Sequence, residues 1–292
     1  MMALTAPLRE CARAELDAAT RITYRLEQTF TYTYDEPVER LRQRLVVVPP
    51  PRHADVHLRL HSVLVDGATA RRLVRRDAAG NTVVHVRADR VERRIEFRLT
   101  AVLERVTADG PVLLPAAVLR DARLLQPTRL TQPDDALTDW AGQLRRRGES
   151  AERTAERVCA AVHERMSYRF GVTSTRTTAP QALAGGIGVC QDFAHVMLAL
   201  CRLLDVPSRY VSGHLIGQGG THAWVEVVVP DGAGATAVAF DPCNGRPAGR
   251  GHLTVATGRD YADVAPTAGT YVGPPTGRLT STRRLGVVDL AA

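Results

Sequence analysis

Three residues far apart in the chain, Cys190, His222 and Asp241, are of the types that thiol-based acyl transfer requires. Cys190 lies in "GGIGVCQDFAHVMLALCRLL", where a glycine-rich approach meets the start of a helical pattern. Val189, Phe193, Val196, Met197, Leu200, Leu203 and Leu204 recur at offsets of three and four, which predicts a helix with one buried stripe. In the first turn of such a helix the backbone N–H groups lack intrahelical acceptors and the macrodipole is positive. A thiolate is favoured there, and the free N–H groups can receive a developing oxyanion. Gly185, Gly186 and Gly188 let the preceding backbone come close to a substrate. The competing reading is packing, since free cysteine is among the most buried residue types. Cys201, in mid-helix, fits that second reading.

A nucleophilic thiol needs a base, and the base needs an orienting acceptor. "THAWVEVVVPDGAGATAVAFDPCNG" (Thr221 to Gly245) supplies both on two predicted strands joined by a turn. With the turn centred between Asp231 and Gly232, opposite residues have numbers that sum to 463, which pairs His222 with Asp241. A carboxylate there would hold one ring nitrogen and leave the other for Cys190. A metal site built from the same three residues lacks support from local HxxH or CxxC spacing.

The rest of the chain must position these groups. Its 292 residues suffice for one large or two modest domains, and its hydrophobic content of 45% is that of a folded protein. No apolar run approaches the ~20 residues of a membrane span. The N-terminal stretch mixes acidic and basic residues without an apolar signal core, and five scattered cysteines form no CxxC pair; a cytoplasmic protein with reduced thiols is expected. The net charge is +7, and all 38 basic residues are arginine. Groups such as "RRLVRRD", "RVERRIEFR" and "LRRRGES" alternate with apolar or acidic residues, so solvated strand faces are expected rather than a nucleic-acid surface.

From Ile22 to about Val106 the pattern has period two, with Pro, Asp-Gly and Gly-Asn turns, and predicts an antiparallel β-domain. "PPP" at Pro49 to Pro51 marks a connection or an edge. Prolines break residues 111–137, and helical spacing follows, with Ser150 as a predicted N-cap and Val158, Val162 and Met166 on one stripe. The expected organisation is an N-terminal segment (1–20), a β-rich domain (21–125) and a core with a C-terminal extension (126–292).

The stretches "GVCQDFAHVMLALCRLLDVPSRYVSGHL", "THAWVEV", "AFDPCNG" and "HLTVATGRDYADVAPTAGTYVG" resemble the bacterial transglutaminase-like superfamily, in its order of Cys, His and Asp. "YRLEQTFTYTYDEPVERLRQRLVVVPP" resembles the β-rich N-terminal region that accompanies that core. The resemblance implies an α+β fold: a β-rich N-terminal domain, then a papain-like core whose nucleophile helix packs on an antiparallel sheet. It also implies Cys190 as nucleophile, His222 as general base and acid, and Asp241 as the residue that orients the histidine. Tyr168, Gln191 and Trp224 are candidates for oxyanion or substrate contact, and Asp192 for stabilising the helix N-terminus. Cys243 stands where the family usually has threonine, close enough to the site for a disulfide with Cys190 under oxidation. The implied activity is cleavage of peptide-like amides through a thioester, by a cysteine peptidase or amidase. Transfer to an amine, as in a transglutaminase, is the alternative, and a non-catalytic binding module the second. The expected partner is a peptide or protein amide, with no nucleic acid, membrane, metal or other cofactor; no EF-hand-like loop signals calcium. The oligomeric state is left open.

Overall fold

The period-two pattern after residue 21 folds into long antiparallel strands. The structure, a computed structural model that describes residues 6–217, 219–274 and 277–291, starts with a short helix, α1 (Arg13–Ala18). Strands β1 (Arg21–Thr33), β2 (Val38–Val48), β3 (Arg52–His53), β4 (Val56–Asp66), β5 (Ala70–Arg76), β6 (Thr82–Val91) and β7 (Arg94–Val106) follow. The middle of the chain holds β8 (Leu114–Pro115), α2 (Ala122–Leu125), α3 (Asp135–Leu144), α4 (Ala151–Arg165), β9 (Ser167–Tyr168), α5 (Ala179–Gly185), β10 (Ile187–Gly188) and α6 (Cys190–Leu203). The last part contains β11 (Ser208–Leu215), β12 (His222–Asp231), β13 (Gly234–Asp241), β14 (Arg246–Pro247), β15 (His252–Gly258), α7 (Tyr261–Val264), β16 (Thr267–Val272) and β17 (Arg278–Ala291).

Two antiparallel sheets build the β-rich half, one in the order β17, β1, β7, β4, β3 and the other in the order β16, β2, β6, β5. Ile22, Tyr24, Leu26 and Phe30 alternate along β1 into the core, where they join Leu45, Val84, Val86 and Phe97 in one buried cluster. β2 stops at Val48, before the three prolines. Two of the three arginine groups lie on strands facing water, whereas Arg145, Arg146 and Arg147 of "LRRRGES" follow the end of α3 outside any strand. Arg71, Arg72, Arg75 and Arg76 line the edge strand β5, where charge discourages edge-to-edge pairing, while Arg94 and Arg98 flank and pair with Glu96 on β7. β16 and β17, near the C-terminus, pair with β2 and β1, so both sheets of the β-rich half are completed by residues that follow the cysteine helix.

The second half is a sheet in the order β14, β13, β12, β11, β15, with β8 added on β13, and α6 packs on β12 and β11. α3, α4 and α5 close around α6. The single apolar stripe expected of this helix is therefore an underestimate: every residue from Gln191 to Arg202 is buried, polar ones included. A helix walled by a sheet and three helices has no solvent face left to carry a polar row. In α4, Ser150 Oγ accepts from the Arg153 N–H at 3.3 Å, and Val158, Val162 and Met166 are buried, as the spacing predicts.

Candidate active site

The start of α6 is shaped by residues folding back on it. Asp192 Oδ2 accepts from the Val189 N–H at 2.8 Å and from Thr173 Oγ1 at 2.6 Å, which caps the helix as expected of this residue. Burial raises the Asp192 carboxyl against these two hydrogen bonds. Gly188 is required sterically, because a Cβ there would lie 2.7 Å from the Asp192 side chain. Gly186 takes φ +63° to end α5 in the left-handed region and start the approach to Cys190. Among the described residues no acceptor is met by the Cys190 or Gln191 N–H, so both remain open donors beside the thiol.

His222 opens β12 and Asp241 closes β13, and His222 Nε2 lies 2.7 Å from Asp241 Oδ2 with both side chains buried. The register differs from the expected one. Asp231 pairs with Gly234 and Val225 with Phe240, so opposite numbers sum to 465, and Asp241 falls opposite Trp224. The two-residue turn is Gly232–Ala233, with φ +54° at Gly232 only, as a type II′ turn needs. A shift of two preserves the face, because side chains alternate with period two. The imidazole and carboxylate therefore still meet, as diagonal neighbours.

With Nε2 held by Asp241, Nδ1 is the ring nitrogen left for Cys190, whose interaction with the imidazole favours the charged ring. The sulfur also lies 3.9 Å from the Thr221 carbonyl oxygen. Burial works against a charged imidazole, but the hydrogen bonds to Asp241 and Cys190 outweigh it and raise His222 to about 9. Burial likewise opposes ionised Asp241, and the hydrogen bonds from His222 and His252 overcome it and hold the carboxyl well below its usual range. The two interactions together favour the charged imidazole.

Asp241 is held by more than the sequence indicated. His252, from β15, places Nε2 at 2.9 Å from the same Oδ2 and donates to it, since an ionised carboxylate only accepts, while its Nδ1 lies 3.0 Å from the Gly249 nitrogen and 3.2 Å from the Gly249 carbonyl oxygen. Asn244 Nδ2 also donates to Oδ2 at 2.7 Å, and the N–H groups of Cys243 and Asn244 donate to Oδ1 at 3.1 and 3.2 Å. The Cys243 N–H contact is the Asx turn that "DPCN" contains, and Asn244 follows it by one residue. His252 has no local signal, since it arrives through the pairing of β15 with β11. The donor atoms of His222, Asp241 and His252 lie within 4.8 Å of one another, a spacing that could hold a metal. Both nitrogens stand at hydrogen-bond distance from one oxygen, closer than the ~3.3 Å between ligands of a tetrahedral zinc at 2.0–2.1 Å.

The other candidates take different places. Tyr168 is 60% exposed beside Gly188, and burial of its hydroxyl together with the charge of Cys190 raises its pKa. Gln191 is buried, and its Nε2 donates to the Ser174 carbonyl at 3.4 Å, tying down the neighbouring loop. Trp224 is enclosed behind the imidazole, stacked on His222 at 6.1 Å and edge-on to His252 at 5.2 Å. Cys243 is half-buried, and burial, then the charges of Cys190 and Asp241, push its thiol up; both cysteines are free. Burial pushes the Cys159 and Cys201 thiols up to about 12.

The sequence profile described as "Transglutaminase-like superfamily" matches residues 138–242, and that of the "Bacterial transglutaminase-like N-terminal region" matches residues 24–104. The chain belongs to the transglutaminase-like superfamily. An uncharacterised protein of Mycobacterium bovis is 27% identical over 282 residues, covering 85% of each chain. One from Mycobacterium leprae is 30% identical over 168 residues, 54% of this chain and 58% of its own. Among solved structures, a Cytophaga hutchinsonii protein provisionally assigned as a cysteine protease superposes with a TM-score of 0.73 at 22% identity, covering 92% of this chain and 91% of its own. This transglutaminase-like protein therefore has the α+β, papain-like fold implied by its motifs.

Proposed function

We propose that this transglutaminase-like protein is a thiol-dependent acyl-transfer enzyme that hydrolyses peptide-like amides. The observation that carries the reading is the line from Asp241 through His222 to Cys190 at the open first turn of α6. The Cys190 sulfur bonds to the amide carbonyl carbon while the carbonyl oxygen takes up negative charge against the free N–H groups of the helix start. The carbon–nitrogen bond breaks as the His222 proton passes to the leaving nitrogen, which departs as amine or ammonia. Water then attacks the thioester, giving one proton to His222, and as the carbon–sulfur bond breaks the acid leaves and the Cys190 thiolate faces a protonated His222 again.

Two features favour water and a peptide-like substrate. Cys190 is only half-buried, so solvent reaches the thioester. On the segment that pairs with Gly188 at Tyr168 and reaches Asp192 through Thr173, Tyr168, Phe170 and Val172 expose 60%, 86% and 43% of their surface, which offers apolar contact to a substrate chain. The test is to follow ammonia release from a glutamine peptide against incorporation of a labelled amine. Release without incorporation in excess amine supports hydrolysis, whereas dominant incorporation replaces it with amine transfer. No turnover of any amide, with partner binding that tolerates Cys190→Ala, would make the core a binding module.

A further inference from the structure

We propose that the space between the two halves of the protein is a binding site for a small organic anion carrying at least two negative charges, a phosphate ester or a polycarboxylate. A cavity of about 490 Å³ opens there, within the ~300–1,000 Å³ range of small-ligand sites. It does not include Cys190. Its walls come from the β2–β4 connection, the β5–β6 turn and the face of the core sheet that carries Trp224, Glu226 and His252.

Charge determines what this space accepts. Five arginines and two carboxylates line it. Arg105 is paired with Asp55, and Arg209 with Glu226 at 2.7 Å, so both carboxylates are already matched. His53 Nε2 also lies 2.6 Å from Glu226. Arg52, Arg76 and Arg250 are left with neutral partners. Arg52 donates to the carbonyls of Ala54 and Asp109, each at 3.0 Å, Arg76 to that of Gly80 at 2.7 Å, and Arg250 to those of Leu16 and Ala19. Among the described residues none of these three meets a carboxylate. Arg250 turns its guanidinium to α1, and Arg52 and Arg76, exposed without a carboxylate partner, give this concave space a positive potential; their planar forks suit phosphate and carboxylate oxygens. Pro50, Pro51 and Trp224 add an apolar wall for the body of such a ligand. An occupant would also lie one side chain from the triad, since His252 lines the cavity and donates to Asp241.

The test is isothermal titration of the full chain with AMP and with citrate, using adenosine and glycerol as neutral controls. Saturable sub-millimolar binding of either anion, weaker at higher salt and reduced by about tenfold or more in Arg52→Glu and in Arg76→Glu, is expected. Both arginines are exposed, so the reversals leave the core intact. AMP binding without citrate would assign a phosphate ester, and the converse a polycarboxylate. Absence of saturable binding by both anions, adenosine binding as tightly as AMP, or affinities unmoved by both reversals would overturn the proposal. No readout involves Cys190, so either result leaves the acyl-transfer reading to its own test.

Discussion

Asp241→Asn tests the triad most directly, because it keeps the size of the side chain and removes its charge. Oδ2 accepts from His222, His252 and Asn244, and Oδ1 accepts from two backbone N–H groups. Asparagine has one oxygen and brings two donors of its own. If its nitrogen takes the Oδ1 position, the Cys243 N–H loses its acceptor while the Asn244 N–H keeps the Asp241 carbonyl oxygen at 3.2 Å; in the other orientation three side-chain donors lose theirs. One donor left unpaired, at about 1–3 kcal/mol, sets the loss in the cheaper arrangement. That is a large part of the ~5–15 kcal/mol of a typical domain. His222 then faces a neutral oxygen, and the interaction that raised it to about 9 is much weaker. Urea denaturation reads the first effect, and iodoacetamide alkylation of Cys190 at neutral pH, followed by peptide mass spectrometry, reads the second. Alkylation and amide turnover should fall by about 10²–10⁴-fold, the upper figure being that of the same exchange in a Ser-His-Asp triad. A stability loss under about 1 kcal/mol, with unchanged alkylation, would show that Asp241 neither anchors the site nor governs the imidazole.

Other perturbations act on the support of the site. His222→Ala should slow alkylation of Cys190 selectively, leaving the other four cysteines unchanged; equal rates in the variant and the wild type would contradict the coupling of the imidazole to the thiol. His195, enclosed in α6, is lowered by burial to about 4, whereas an unfolded histidine titrates near 6.5. Between these values the unfolded chain binds more protons, so this residue is neutral in its effect above pH 6.5 and costs stability as pH falls through 4, by about 3 kcal/mol in all. Urea midpoints of wild type and His195→Leu should therefore converge on acidification, and parallel curves would refute the assignment. Gly213→Ala would place a Cβ 2.3 Å from the Leu253 carbonyl and 2.4 Å from the Trp224 ring. A loss of about 1–3 kcal/mol or more, with a change in tryptophan fluorescence, is expected; a variant as stable as wild type would show that β11 can give way there.

What the sequence revealed of this site follows from the range of the interactions involved. The pairing of His222 with Asp241 was legible because a hairpin is local and period two forgives a shift of two residues, so the wrong turn centre still put both groups on the correct face. Cys190 was legible because a helix start after glycines is also local. His252 was not, since it reaches Asp241 only after β15 crosses to the far side of β11. The enclosure of α6 was hidden for the same reason: its polar residues Asp192, His195 and Arg202 look like a solvent face until α3, α4 and α5 are placed around them. The return of β16 and β17 to the first sheets joins residues more than two hundred positions apart, for which neither composition nor periodicity carries a signal.

Those long-range contacts explain why the β-rich half accompanies the core. Arg105, on β7, donates through Nη2 to the His252 carbonyl at 3.1 Å and through Nε to Tyr24 Oη at 3.3 Å. Asn81 grips the backbone of β15 from both sides, donating to the Thr257 carbonyl at 2.8 Å and accepting from its N–H at 2.9 Å. β15 is the edge strand that supplies His252, so the partner of Asp241 is itself fixed by residues of the other half. An edge strand held only by β11 would be free to slide or fray, and each such motion would move a donor of the Asp241 carboxylate. With the N-terminal sheets clamping it, the register of β15 is set by both halves, and the alignment of the imidazole becomes a property of the whole chain rather than of the core alone.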